Sequence, residues 1–290
     1  MIKVGLFLMR LARRLLGLRE QEIEIAGVRM VYSEGGQGEP LLLLHGLGAS
    51  RATFDAASAT LIRHYRILIP DLPGFGESGN APDGDYGIDA QVEWVERFVQ
   101  AIGLPSFHLG GNSMGGWIAA AYAAKYPHRV KSLWLLAAAG TGEMLDTEAV
   151  KARQERGDYL LLARSIAEFD AVMERIFYRA PPLPFALRWA GSRLSASKFD
   201  LHSKIFDQLL ERGEEYRLEP SLPQISAPTL LVWGEHDEVV PVSVMRRFEE
   251  LLPNARTILM PEVGHVPQME SPRKVAADYL RFRKSLGQTH

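Results

Sequence analysis

The pentapeptide Gly111-Asn112-Ser113-Met114-Gly115 leaves this chain few folds to choose from. It follows the apolar run Phe107-His108-Leu109-Gly110 and precedes a helix-prone, alanine-rich stretch over Ile118 to Tyr126. A G-x-S-x-G placed between a strand and a helix is a nucleophile elbow. The turn is tight enough to strain the serine backbone, and only glycine lets neighbouring chain pass so closely. What results is an exposed hydroxyl at the carboxyl end of a strand, above a helix N-terminus.

Apolar segments alternate with helical periods on both sides of the elbow. Ile23-Glu24-Ile25 and Met30-Val31-Tyr32 flank Ala26-Gly27 and predict an antiparallel hairpin. Leu41 to Leu44 is wholly apolar, as expected of a strand covered on both faces, and Arg66 to Ile69 is a second such run ending at Pro70. Ile88, Val92, Val95, Val99 and Ile102 step at helical spacing. Further strands are predicted at Ser132–Ala137, Thr229–Trp233 and Ala255–Met260, with helices over Val242–Leu251 and Pro272–Leu286. Such alternation builds a mostly parallel sheet. From 141 to 226 it stops, and apolar residues recur at helical spacings around Pro181-Pro182-Leu183-Pro184. That interruption predicts a helical cap over the carboxyl edge of the sheet, where such folds bind ligands. The expected division is therefore a core of residues 21–140 and 227–290, a cap of 141–226, and an N-terminal helix of 1–20.

A serine hydroxyl is a weak nucleophile until a base takes its proton and an acid orients that base. In elbow folds the chain order is Ser, acid, His. His128 lies in a helix-to-strand turn at the wrong end of the sheet, His202 lies in the cap, and His290 is terminal. His265 follows the last strand and is the expected base. The acid is expected after the strand ending at Trp233, where Glu235, Asp237 and Glu238 compete; Asp237 is preferred, with the two glutamates as solvated loop charges. Oxyanion donors are expected from the amides of Met114, beside the nucleophile, and Leu47, in the loop His45-Gly46-Leu47-Gly48. His45 itself is read as structural. Gly74-Phe75-Gly76-Glu77-Ser78-Gly79 matches G-x-G-x-x-G but is followed by Asn80-Ala81-Pro82, not a helix, so it predicts a turn stiffened by Asp71 and no dinucleotide.

Thirty-three basic against 35 acidic residues, a net charge of −2, argues against nucleic acid as a partner. The absence of cysteine removes disulfides, thiol catalysis and thiolate metal sites, and no His-x-x-x-His pair accompanies the acidic loop; neither metal nor cofactor is expected. Met1 to Glu20 carries Lys3, Arg10, Arg13, Arg14 and Arg19 against Glu20 alone, with Val4, Leu8, Leu11, Leu15 and Leu18 on one helical face. Two readings stand: a helix lying on an anionic membrane surface, or one packed on its own domain. Localisation is thus peripheral on a membrane or cytoplasmic.

Taken together, His45-Gly46, Asp71-Leu72-Pro73-Gly74-Phe75-Gly76-Glu77-Ser78, the elbow, Trp233-Gly234-Glu235-His236-Asp237 and Gly264-His265 resemble the α/β-hydrolase superfamily over nearly the whole chain after Gln21. Gly111 to Gly116, the Ser132–Leu136 strand and the basic N-terminal helix look like bacterial carboxylesterases and lipases similar to membrane-associated monoacylglycerol lipases. That resemblance implies an eight-stranded, mostly parallel sheet flanked by helices, with a cap inserted after strand 6. It also implies hydrolysis of lipid-like esters through an acyl-enzyme. The same elbow occurs in meta-cleavage-product hydrolases, which cut carbon–carbon bonds but usually continue Gly-His with Trp, where this chain has Val266. A hydrolase fold serving as a non-catalytic receptor is the reading from another class. In the cap, Ile166, Phe169, Met173, Phe177, Leu183 and Trp189 are expected to bind the acyl group; the opposing expectation is that such residues only fill the cap's interior.

Overall fold

The computed structural model describes residues 10, 11 and 13–287, so the expectations for Val4, Leu8 and His290 lie outside the described residues. Strand β1 (Arg19–Ile25) turns back into β2 (Val28–Gly35) through Ala26 and Gly27, both at positive φ (48° and 79°). That pair of left-handed residues is the hairpin geometry whose twist matches antiparallel strands. Six further strands complete one sheet: β3 (Glu39–Leu44), β4 (Tyr65–Pro70), β5 (Phe107–Asn112), β6 (Val130–Leu136), β7 (Thr229–Gly234) and β8 (Ala255–Met260). Their spatial order is β1-β2-β4-β3-β5-β6-β7-β8. Only the pairings of β2 are antiparallel.

Side-chain alternation along the strands explains the two-sided cover. Leu41 and Leu43 of β3 face one way, with Phe54, Leu61, Val275, Tyr279 and Phe282. These partners come from α1 (Asp55–Leu61), the turn before it, and α9 (Pro272–Leu286). Leu42 and Leu44 face the other way, into a cluster holding Val92, Phe98, Ile118, Met245 and Phe248. Those belong to α2 (Ile88–Ala101), α3 (Met114–Lys125) and α7 (Val242–Leu251). Consecutive residues of a strand point to opposite faces, so a strand with helices on both sides must be apolar throughout.

Between β6 and β7 the chain leaves the sheet for α4 (Glu148–Lys151), α5 (Ile166–Ile176) and α6 (Phe185–Glu211). A short helix, α8 (Pro267–Glu270), follows His265. The loop after β4 forms the expected turn: Gly74 N donates to Gly79 O at 2.9 Å and Asp71 Oδ2 accepts from Glu77 N at 2.9 Å. The next helix does not begin until Ile88. Beneath this turn lies Arg51, 1% exposed, whose guanidinium meets Asp71, Glu77 and Glu20. A buried cation is tolerable only when paired in this way.

Candidate active site

Ser113 occupies the single residue between β5 and α3, at φ 57° and ψ −122°. Its amide donates to Leu136 O at 3.1 Å, and its carbonyl accepts from Trp117 N at 3.0 Å and Ala139 N at 3.1 Å. The strained turn is therefore held from three sides. The flanking glycines are demanded by space: a Cβ on Gly111 would collide with the Gly115 carbonyl, and one on Gly115 with the Leu44 carbonyl. Across the turn, Gly46 lies so near that a Cβ there would sit 3.1 Å from that of Ser113.

The structure brings Asp237 and His265 together. Asp237 Oδ1 accepts from the amides of Val239 (2.9 Å) and Val240 (2.8 Å), and its Oδ2 accepts from His265 Nδ1 at 2.9 Å. Glu235 and Glu238 are exposed, whereas the Asp237 side chain is fully buried. Two amide donors and one imidazole donor fix the carboxylate, and donation from Nδ1 leaves Nε2 with its lone pair free. The Ser113 hydroxyl itself makes no hydrogen bond to this imidazole among the described residues. The elbow and the histidine loop are joined instead through Asn112, whose Nδ2 donates to Leu136 O at 3.0 Å and His265 O at 3.1 Å. Nucleophile–base contacts of this kind tighten around bound substrate.

Leu47 and Met114 lie beside Ser113 on the wall of one cavity. Neither amide is used in a hydrogen bond among the described residues, so both N–H groups remain available. The wall of this cavity is apolar. The cap supplies Met144, Leu145, Val150, Leu161, Phe206, Leu209, Leu210 and Gly213; the core supplies Trp117, Ala139 and Val239.

The six cap residues singled out from the sequence are not on that wall. Ile166, Phe169 and Met173 lie on α5, Phe177 directly follows it, Leu183 precedes α6, and Trp189 sits near the start of α6, which is 27 residues long. At 1.5 Å per residue, Trp189 stands about 30 Å along the axis from Leu209. The first half of α6 instead packs on α5: Phe169 closes on Gly191, and Arg188 Nε donates to Asp170 at 2.8 Å. Met144, Leu145 and Leu161 stand out in the sequence as apolar cap residues; Phe206, Leu209 and Leu210 do not, though their spacing along one helix is the signal that marks them.

The remaining histidines have other duties. His45 Nδ1 donates to Gly46 O at 2.9 Å and its Nε2 accepts from Leu72 N at 3.1 Å, while burial pushes its pKa down. His202 stacks on Phe75 with ring centroids 4.8 Å apart, and burial pushes its pKa down to about 4. His236 stacks on Tyr178 of the cap at 4.3 Å. His128 sits in the turn before β6, away from the carboxyl edge.

A family model described as the alpha/beta hydrolase fold matches residues 39–272. Lipase 1 of Psychrobacter immobilis is 37% identical over 264 residues, covering 90% of this chain and 82% of the relative. Monoacylglycerol lipase ABHD6 of Homo sapiens is 27% identical over 288 residues, 96% of this chain and 86% of that protein. Among solved structures, a membrane phospholipase A superposes with a TM-score of 0.93 at 36% identity, over 99% of this chain and 92% of the other. A meta-cleavage product hydrolase from Pseudomonas fluorescens gives 0.81 at 25% identity, over 92% and 98%. The chain belongs to the α/β-hydrolase family. It is a serine hydrolase, of the ester-cleaving lipase and carboxylesterase kind.

Proposed function

We propose that Ser113, Asp237 and His265 form the catalytic triad, with Leu47 and Met114 as the oxyanion hole, and that the substrate is an ester of an aliphatic acid. His265 Nε2 takes the Ser113 proton as the hydroxyl attacks the ester carbonyl. The tetrahedral oxyanion then faces the two unused amides, which stabilise charge that exists only in the transition state. Asp237 keeps the proton on Nδ1 and stabilises the imidazolium. The imidazolium protonates the departing alcohol, and His265 next activates the water that releases the acid from Ser113.

The observation that carries this reading is the cavity. Its apolar wall begins at the nucleophile, as the wall of an acyl-binding site must. No cationic side chain lines it among the described residues, which suits an acyl chain and gives a dienoate carboxylate no partner. The relatives named lipase and monoacylglycerol lipase support a lipid-like ester, and the substrates proposed are monoacylglycerols or short- to medium-chain acyl esters. The test is kcat/KM for acyl esters from acetate to palmitate, with monoolein and a meta-cleavage product alongside. Selectivity should rise with chain length and then fall once the cavity is filled. Turnover of the meta-cleavage product above that of every ester would overturn the assignment.

The N-terminal segment is proposed to contact an anionic membrane surface. Among its described residues, Arg13 Nε donates to Asp55 at 2.8 Å and Arg10 pairs with Glu20 and Glu77, so these cations hold it to the core. Leu18 is buried there, but Leu11 and Leu15 are 44% and 81% exposed. Leucines exposed beside the exposed Arg10, Arg14 and Arg19 give an apolar and basic face that suits an anionic membrane surface. No helix among the described residues is long and apolar enough to cross a membrane. Leu11→Glu with Leu15→Glu should abolish flotation with anionic liposomes; undiminished flotation would refute this contact.

A further inference from the structure

Glu270, five residues after His265, has one carboxylate oxygen on each of two separate pieces of chain. Its Oε1 accepts from Gly264 N at 2.8 Å, in the histidine loop, and its Oε2 accepts from Tyr178 N at 2.8 Å, in the cap. Alongside runs a direct backbone bond, from His265 N to Ile176 O at 2.9 Å. Gly264 is so close to this cap segment that a Cβ would lie 2.7 Å from Tyr178 N. The Tyr178 ring stacks on His236, next to Asp237, and Arg179 pairs with Glu262 at 3.0 Å. Residues 176–179 thus form a strap across both catalytic loops.

We infer that Glu270 is a positioning residue for His265: a two-point clip that makes the register of the histidine loop depend on the cap strap being seated. The inference rests on the triad proposed for Ser113, Asp237 and His265. An ionised carboxylate that accepts two backbone N–H groups makes bonds roughly twice as strong as neutral ones, and with restricted geometry. Each amide it holds is adjacent to a residue that matters: Gly264 to the imidazole-bearing residue, Tyr178 to the buried Phe177 that anchors the strap. Lifting the strap breaks the clip and the His265–Ile176 bond together, so the base loses its placement whenever the cap unseats here. The cap is therefore part of the catalytic apparatus as well as the wall of the acyl cavity.

Glu270→Gln keeps the size of the side chain but sets an NH₂ against one of the two amide donors. Glu270→Asp keeps the charge on a stem one methylene too short to span both. With a short soluble ester and active sites titrated by a fluorophosphonate, each variant should lose on the order of 10- to 100-fold in kcat while KM stays within about twofold. Hydrogen exchange at the Tyr178 and Gly264 amides should quicken together in both. Fold damage alone would lower the number of titrated sites and leave the rate per site intact. Turnover per titrated site within about twofold of the unaltered protein, in either variant, overturns the clip. Failure of the unaltered protein to be labelled at Ser113 would refute the triad instead, and the exchange experiment alone would then decide the clip.

Discussion

Asp237→Asn is the perturbation whose outcome the geometry specifies most fully. The carboxylate faces three donors: the amides of Val239 and Val240 on Oδ1 and the His265 Nδ1–H on Oδ2. An asparagine of the same shape has one oxygen for these three. Turning that oxygen to the imidazole would set its NH₂ against two buried amides, and each donor left unpaired costs about 1–3 kcal/mol. The oxygen therefore stays on Val239 and Val240, and the NH₂ faces the ring. Nδ1 must then accept, which places the ring proton on Nε2 and removes the lone pair needed by Ser113. The wrong tautomer is worth about 10⁴ in kcat, or about 5.5 kcal/mol of barrier. Packing and the two amide bonds survive, so the melting midpoint should barely move. Stopped-flow hydrolysis of 4-nitrophenyl butyrate, scaled to folded protein by calorimetry, reads both numbers. A kcat within about tenfold of the parent would refute the reasoning and move the acid to another carboxylate.

Three further outcomes follow from named contacts. Gly115→Ala should fail to yield folded protein, because its methyl meets the Leu44 carbonyl; a soluble, active variant would contradict the elbow packing. Leu210→Trp should shorten the acyl cavity: excluding three methylenes at about 0.8 kcal/mol each lowers kcat/KM for long esters roughly 50-fold relative to acetate, and an unchanged chain-length profile would contradict the lining. His202, with its pKa held at about 4 by burial, binds a proton less readily folded than unfolded, so stability is complete above pH 6.5 and is lost as pH falls towards 4. Its share is about 2 kcal/mol by pH 5. Denaturant titrations should show a shallower acid slope for His202→Gln, and an identical slope would contradict the assignment. His108 adds to this loss in both proteins: burial holds it at about 4 against the pull of Glu39.

The core was legible because its signals are local. The turn Ala26-Gly27, the four leucines of β3 and the glycines of the elbow each dictate geometry within a few residues. Helices α7 and α9 and strand β8 have the bounds that the periodicity predicts. The triad's members could be ranked because a fixed chain order leaves one histidine and one short acidic loop at the carboxyl edge. Two short helices, α1 and α8, are hidden in the sequence, since seven and four residues give too little period to read. The cap lining is hidden for a different reason: periodicity shows that α6 has an apolar face, but not which of its turns stands over Ser113. That depends on how α5 and α6 dock, through Phe169 and Gly191, far apart in sequence. Arg51 is the same kind of case, since an arginine among small polar residues reads as surface until Glu20, Asp71 and Glu77 converge on it.

Trapping the acylated protein would identify the nucleophile by its own covalent bond. A reaction with 4-nitrophenyl decanoate, quenched in acid during the burst and digested, should carry the decanoyl mass on the peptide containing Ser113. Ser113→Ala should carry none and should lose on the order of 10⁴ or more in turnover. An adduct on any other residue, or full turnover by Ser113→Ala, would contradict acyl transfer through the elbow serine.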